Sequence, residues 1–203
     1  MGVILRVLAL VASVALAGCS SGPEAPDESG YVAEITAERQ AKDREFGAQS
    51  DPVPPERRET LLPLPYYPPD LSYSVPAVLR LAQERPIFEV PTSTGVIRRM
   101  QRVGVLEFTL DGQPMSLGAF VDEGTQRIDE LFVPFADLTT GKETYPAGRY
   151  LYLQPTATGI YTIDFNKAFN PYCAYNDKYD CPYPPPSNRL KVEIRAGEKA
   201  PRT

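Results

Sequence analysis

The feature that most constrains this chain is an Asp-Gly dipeptide set between two alternating apolar runs. Val103–Leu110 leads into Asp111-Gly112, and Gln113–Val121 leads away. A two-residue loop of this composition favours a type I′ turn, because both central residues take positive φ and Asp and Gly tolerate that best. The turn sets the register. Phe108 falls opposite Met115 and Leu106 opposite Leu117, all on one face. Pro114 then faces Thr109 at a non-hydrogen-bonded pair, so its missing N–H lies outside this hairpin and marks an edge or a bulge on the far side.

The same period of two runs through Tyr73, Val75, Ala77, Leu79 and Leu81, alternating with Ser72, Ser74 and Arg80. Further strands are expected at Ile87–Val90, Val96–Arg102, Ile128–Phe135, Gly148–Leu153, Gly159–Phe165 and Arg189–Ile194. The total is about nine short strands with turns between them. One helix is expected, Tyr31–Phe46, with Tyr31, Ile35 and Phe46 on an apolar stripe, Glu38 and Lys42 at i,i+4, and Gly47 as its stop. Glu34, Arg39, Asp43, Arg44 and Glu45 read as its solvated face. Seven prolines between Asp51 and Asp70 predict an extended surface segment there, neither helix nor central strand. The expected fold is mainly β: an antiparallel sandwich or barrel with one N-terminal helix, a single domain over 31–199, and a tail at 200–203.

The first residues read as an export signal. Arg6 precedes an apolar run, Val7–Ala17, of 11 residues, too short to span a bilayer as a helix. The run ends in Leu16-Ala17-Gly18-Cys19, which resembles a bacterial lipobox. That resemblance implies cleavage after residue 18 and acylation of Cys19, with residues 19–30 as an acylated cysteine and flexible tether. Two or more acyl chains hold a protein stably on a membrane. The expected location is therefore the cell envelope, on the periplasmic face of the outer membrane if the cell has two, since no aspartate follows Cys19.

Composition acts here mainly by exclusion. The 203 residues contain no histidine, so a Ser-His-Asp triad, a Cys-His dyad and an imidazole-ligated metal site are all ruled out. A net charge of −5 argues against nucleic acid as a partner. No GxGxxG or GxxxxGK[ST] loop occurs, so no nucleotide site is indicated. No cofactor and no metal are implied.

The C-terminal half carries a string of unusual segments: Phe132–Asp137, Thr144–Leu151, Asp164-Phe165-Asn166, Asn170–Tyr175, Cys181-Pro182 and Pro184–Leu190. With Arg39, Lys42, Asp43 and Phe46, then Tyr67–Asp70 and Thr92–Gly95, they resemble the family called domain of unknown function 1684, over about Tyr31 to Lys199. The resemblance implies an export-associated domain and brings no catalytic residues with it.

Cys173 and Cys181 bracket a nine-residue stretch, and in an exported chain the default expectation is a disulfide. A reactive thiol and a soft-metal pair are the alternatives. Arg149 shares a strand face with Leu151 and Leu153, while Tyr150 and Tyr152 point the other way. Hairpin pairing of Leu151 with Ile163 and Leu153 with Tyr161 would leave Arg149 for a carboxylate, a carbonyl or an anionic ligand. Either it is a buried structural arginine or it contacts ligand. Eight of the twelve tyrosines fall between Tyr145 and Tyr183. Tyr145, Arg149, Asp164, Asn166, Asn170 and Tyr175 are the ligand-binding candidates. The carboxylates Glu143 and Asp164 could in principle serve acid–base hydrolysis, though nothing in their spacing sets them about 5–10 Å apart, and Arg98, Arg99 and Arg102 read as a wet strand face. The leading expectation is a non-catalytic, membrane-anchored domain binding a small ligand or an envelope protein. The alternatives are a hydrolase or thiol-dependent enzyme using Cys173 or Cys181, and an architectural protein without a pocket.

Overall fold

The computed structural model describes residues 27–49 and 51–202; the export signal and Cys19 lie outside them. A helix, α1, runs over Glu28–Ala48 and begins on Asp27, whose carboxylate accepts the Gly30 N–H at 3.0 Å. Gly47 does not stop it. The helix continues to Ala48 and closes with the Gln49 N–H on the Glu45 carbonyl. Among the described residues no helix is long and apolar enough to cross a membrane.

Seven antiparallel strands follow: β1 (Ser74–Leu81), β2 (Ile87–Pro91), β3 (Ile97–Leu110), β4 (Gln113–Asp122), β5 (Leu131–Phe135), β6 (Arg149–Leu153) and β7 (Ile160–Asp164). They form one curled sheet in the order β6-β5-β4-β3-β1-β7, with β2 also on β3. This half-barrel takes the place of the two-sheet sandwich that was one of the expected forms. The Asp-Gly hairpin is as expected: Asp111 and Gly112 have φ of 50° and 73°, and Phe108 faces Met115, Leu106 faces Leu117 and Thr109 faces Pro114. The far side of β4 is unpaired at Pro114, because β5 meets β4 only at Phe120 and Phe132. β3 is longer than expected and absorbs the separate strand at Val96–Arg102. A bulge between Arg102 and Gly104 bends it, and Gly104 lets it pass so close to β1 that a Cβ would lie 2.4 Å from the Arg80 carbonyl oxygen.

One expected pairing and one expected strand are corrected. Gly148–Leu153 and Gly159–Phe165 do not form a hairpin ladder. β6 pairs with β5, setting Arg149 against Phe135 and Leu151 against Val133, and β7 pairs with β1, setting Ile163 against Val75. Consecutive in sequence, they are the two edges that curling brings round. Arg189–Ile194, by contrast, is no strand: it touches β5's continuation through an isolated bridge from Arg189 to Ala136 and then lies across the hollow of the sheet. Its Leu190 and Ile194, with Ala196 just beyond, join the core with Leu106, Leu117, Val133 and Leu151. The rings of Phe108 and Phe135 flank Phe165 at 5.8 and 5.3 Å.

The proline-rich segment also departs from expectation. It holds a short helix, α2 (Arg58–Leu61), and buries Val53, Leu61 and Leu64 with Phe46 and Tyr175 in a second cluster. That cluster seats α1. The helix face toward the domain is polar where it was expected to be solvated: Arg39 donates to the Tyr67 carbonyl at 2.7 Å, and the Asp43 carboxylate accepts the Leu64 N–H at 2.9 Å.

Candidate functional site

Three clasps of buried polar groups tie the C-terminal half to itself and to the N-terminal segments, and most of the sequence candidates belong to them. Arg149 is 1 % exposed. Its guanidinium donates to the Asp137 carboxylate at 2.7 Å, to the Ile194 carbonyl at 2.8 Å, to the Glu198 carbonyl at 3.2 Å and to the Ala196 carbonyl. The fork thus supplies hydrogen bonds to the segment that fails to make a strand, and Phe135 covers the guanidinium 5.1 Å from the ring centroid. In the second clasp, Asp164 accepts from the Tyr31 hydroxyl at 2.8 Å and from the Asn166 N–H at 2.9 Å. Asn166 in turn pairs with both backbone groups of Asp70. Burial and the Asp164 carboxylate together push the Tyr31 phenol well above its ordinary value.

The third clasp centres on Glu198, itself 1 % exposed. One carboxylate oxygen meets the Lys42 ammonium at 2.5 Å and the Tyr66 hydroxyl at 3.3 Å; the other accepts the Asn170 N–H at 2.8 Å and the Tyr175 hydroxyl. Burial comes first in raising the Tyr175 phenol, and the Glu198 charge adds to it. Glu143 and Asp164 have separate partners: Glu143 accepts from the Tyr67 hydroxyl and pairs with Arg195.

The expected disulfide is not formed. Cys173 and Cys181 are free buried thiols, packed together but unbonded, with the Cys173 N–H donating to Cys181 Sγ at 3.2 Å. The loop between them is closed by other means. Cys181 exchanges hydrogen bonds with Ser93, and Thr94 donates to Asp180 at 2.5 Å. Tyr145 touches Cys173 through its hydroxyl at 3.9 Å. A hydrogen bond from Cys181 draws the Cys173 thiol down to about 7, and the same contact pushes Cys181 up.

The open feature lies on the other face of the sheet. A cleft of about 940 Å³ is walled by α1, by the outward residues of β3 to β6 and by 169–182. Alternation puts it there: Arg149 and Leu151 point into the core, so Tyr150 and Tyr152 point out, as Phe132 does on β5. These rings close on Phe169 into a four-membered cluster. Phe132 meets Tyr150 at 4.7 Å and Tyr152 at 5.5 Å, and Phe169 meets Tyr152 at 5.6 Å and Tyr150 at 6.0 Å. Tyr172 and Tyr179 continue the wall, and Tyr152 and Tyr172 remain about half exposed. Cys181 reaches this cleft; Tyr145, Arg149, Asp164, Asn166, Asn170 and Tyr175 do not line it. Of the cleft residues missed in the sequence, Tyr150, Tyr152, Tyr172 and Tyr179 come from the same tyrosine-rich stretch, and the signal for the first two is their outward register. Phe46 and Lys42 of α1 carried no comparable signal.

The fold and cleft together define a curled β half-barrel domain with a helix laid beside it. The chain belongs to the family described as Protein of unknown function (DUF1684), whose model matches residues 60–199. It is similar to an uncharacterized protein of Haloarcula marismortui solved by solution NMR, with 38 % identity over 85 % of this chain and 96 % of that one, at a TM-score of 0.66. No curated protein matches the chain.

Proposed function

We propose that this is a non-catalytic binding domain of the cell envelope, anchored through Cys19, that takes a small molecule into the cleft between α1 and the outer face of the sheet. The carrying observation is the cleft itself: about 940 Å³, lined by contiguous aromatic rings together with a comparable number of charged side chains. Half-exposed tyrosines at such a mouth offer both apolar area and a polar tip. The architectural alternative expects no pocket, so a cleft of this size weighs against it. The test is a fragment screen read by amide chemical shifts. Fragments are expected to move the amides of Tyr152, Phe169 and Cys181 together, and Tyr172→Ala to weaken those responses. A screen in which no fragment moves them would sink the reading.

A second reading, thiol chemistry, draws on one observation: Cys173, its thiol drawn down to about 7, packs against Cys181, which lines the cleft. Alkylation of neither thiol by iodoacetamide in the native protein would remove it.

A further inference from the structure

The charges around the cleft are unequal in a way that selects a ligand. Among the described residues three cations line it, and each already has a carboxylate: Lys42 with Glu198 at 2.5 Å, Arg98 with Asp122 at 2.7 Å and Arg127 with Asp129 at 2.7 Å. Of the six lining acids, Glu38 is paired outside with Lys167 at 2.8 Å. Glu45, Glu130 and Asp180 remain, and among the described residues none of them has a basic partner. The uncompensated charge at the rim is therefore entirely negative. Hydroxyl groups of Thr92 and Thr94 hold the Asp180 carboxyl below the usual range.

The walls have the matching chemistry. A ring face presents the negative side of its quadrupole, so a ring-lined cleft attracts a cation whose water has been stripped away. Lys42 already shows this within the protein, its ammonium lying 5.1 Å from the centroids of both Phe46 and Phe169. Among the described residues, an anion entering the cleft would meet three carboxylates without a basic partner and no free base. A neutral apolar ligand would leave the carboxylates unused.

We propose that the cleft binds a small organic cation of the alkylammonium class, its charged head against Tyr152 and Tyr172 and within reach of the Glu130 and Asp180 carboxylates. This rests on the binding function proposed above and gives that function its ligand chemistry. The exposed carboxylates also steer cations to the mouth, an effect that salt weakens.

The test compares choline with its uncharged isostere 3,3-dimethylbutan-1-ol, titrated separately into the protein and followed by amide shifts. Choline is expected to bind at least tenfold more tightly, with the shifts centred on Tyr152 and Tyr172. Tyr152→Leu is expected to cut choline affinity about tenfold and to leave the isostere's little changed, while Tyr152→Phe retains both. Glu130→Gln with Asp180→Asn should lower choline affinity several-fold and flatten its salt dependence. Equal binding of choline and the isostere would overturn the cation inference and leave the cleft as a binding site. Failure of choline to move any cleft amide, in a protein whose cleft responds to neutral fragments, would overturn it as well. A cleft silent to choline, isostere and fragments alike would remove the binding function itself.

Discussion

The two faces of the sheet use charge in opposite ways. Arg149 and Asp137 on the inner face, and Glu198 where α1 docks, are shut away from solvent and every charge faces a protein partner. On the outer face, the rim of the aromatic cleft leaves Glu45, Glu130 and Asp180 exposed and without a basic partner. Buried charge of the first kind holds a segment in place at a large desolvation cost, and removing one member strands the other. Exposed charge of the second kind contributes little to stability and stays available. The contrast teaches that in this domain the residues most conspicuous for their polarity are fasteners, whereas the residues open to a ligand are the less conspicuous rings.

The sharpest way to break that contrast is at Arg149. Replacing it with methionine keeps most of the volume but leaves Asp137 buried without its cation and the Ile194 and Ala196 carbonyls without donors. Breaking such a pair from one side is expected to cost about 3–5 kcal/mol. Urea unfolding would measure it, and a loss under about 1 kcal/mol would mean that Arg149 is not a fastener. Glu198→Gln comes next. It keeps one acceptor for Asn170 or Tyr175 but removes the charge that Lys42 meets, so about 1.5–3 kcal/mol is expected. A variant as stable as the parent would show that the Lys42 contact contributes nothing to seating α1.

How much of this was legible depended on how local the cause is. The Asp111-Gly112 hairpin could be read to the residue, because turn chemistry and the buried set Leu106, Phe108, Met115 and Leu117 demand the same register. The neighbours of β6 could not be read. Sequence adjacency suggests β7, but sheet order is set by packing across the whole domain, and β5 and β1 take the two strands. Arg189–Ile194 alternates like a strand, yet the Ile194 carbonyl meets a guanidinium from β6 in place of a ladder. Arg39 and Asp43 looked solvated because their partners, the Tyr67 carbonyl and the Leu64 N–H, are backbone groups that no side-chain pattern reveals. The site divides the same way. Tyr150 and Tyr152 were visible as an outward pair, while Phe46 and Lys42 depend on where α1 docks.

The thiol pair packs behind the outer-face rings and gives a pH-dependent test of that side. The thiolate is the reacting form, so alkylation of Cys173 should speed up as pH rises, with a midpoint near 7. Removing the hydrogen-bond donor with Cys181→Ala should return the midpoint toward the ordinary value of about 8.5, slowing the reaction at neutral pH about tenfold. A parent midpoint above 8 would show that Cys181 does not stabilise the thiolate.

The smallest effect on stability is expected at the cleft, and that is why it discriminates. Tyr172 is 43 % exposed and meets Phe46 and Tyr179 only by ring edges, at 6.3 and 5.2 Å. Tyr172→Ala removes those contacts without opening a buried void or stranding a polar group. The loss should stay under about 1 kcal/mol, while the fragment responses at Tyr152 and Cys181 weaken. A destabilisation of the size expected for Arg149 would mean that the rings, too, are fasteners, and the distinction between the two faces would fail. Near-parental stability with lost binding would place the two roles on opposite sides of one sheet, separated by the alternation that points Arg149 inward and Tyr150 outward.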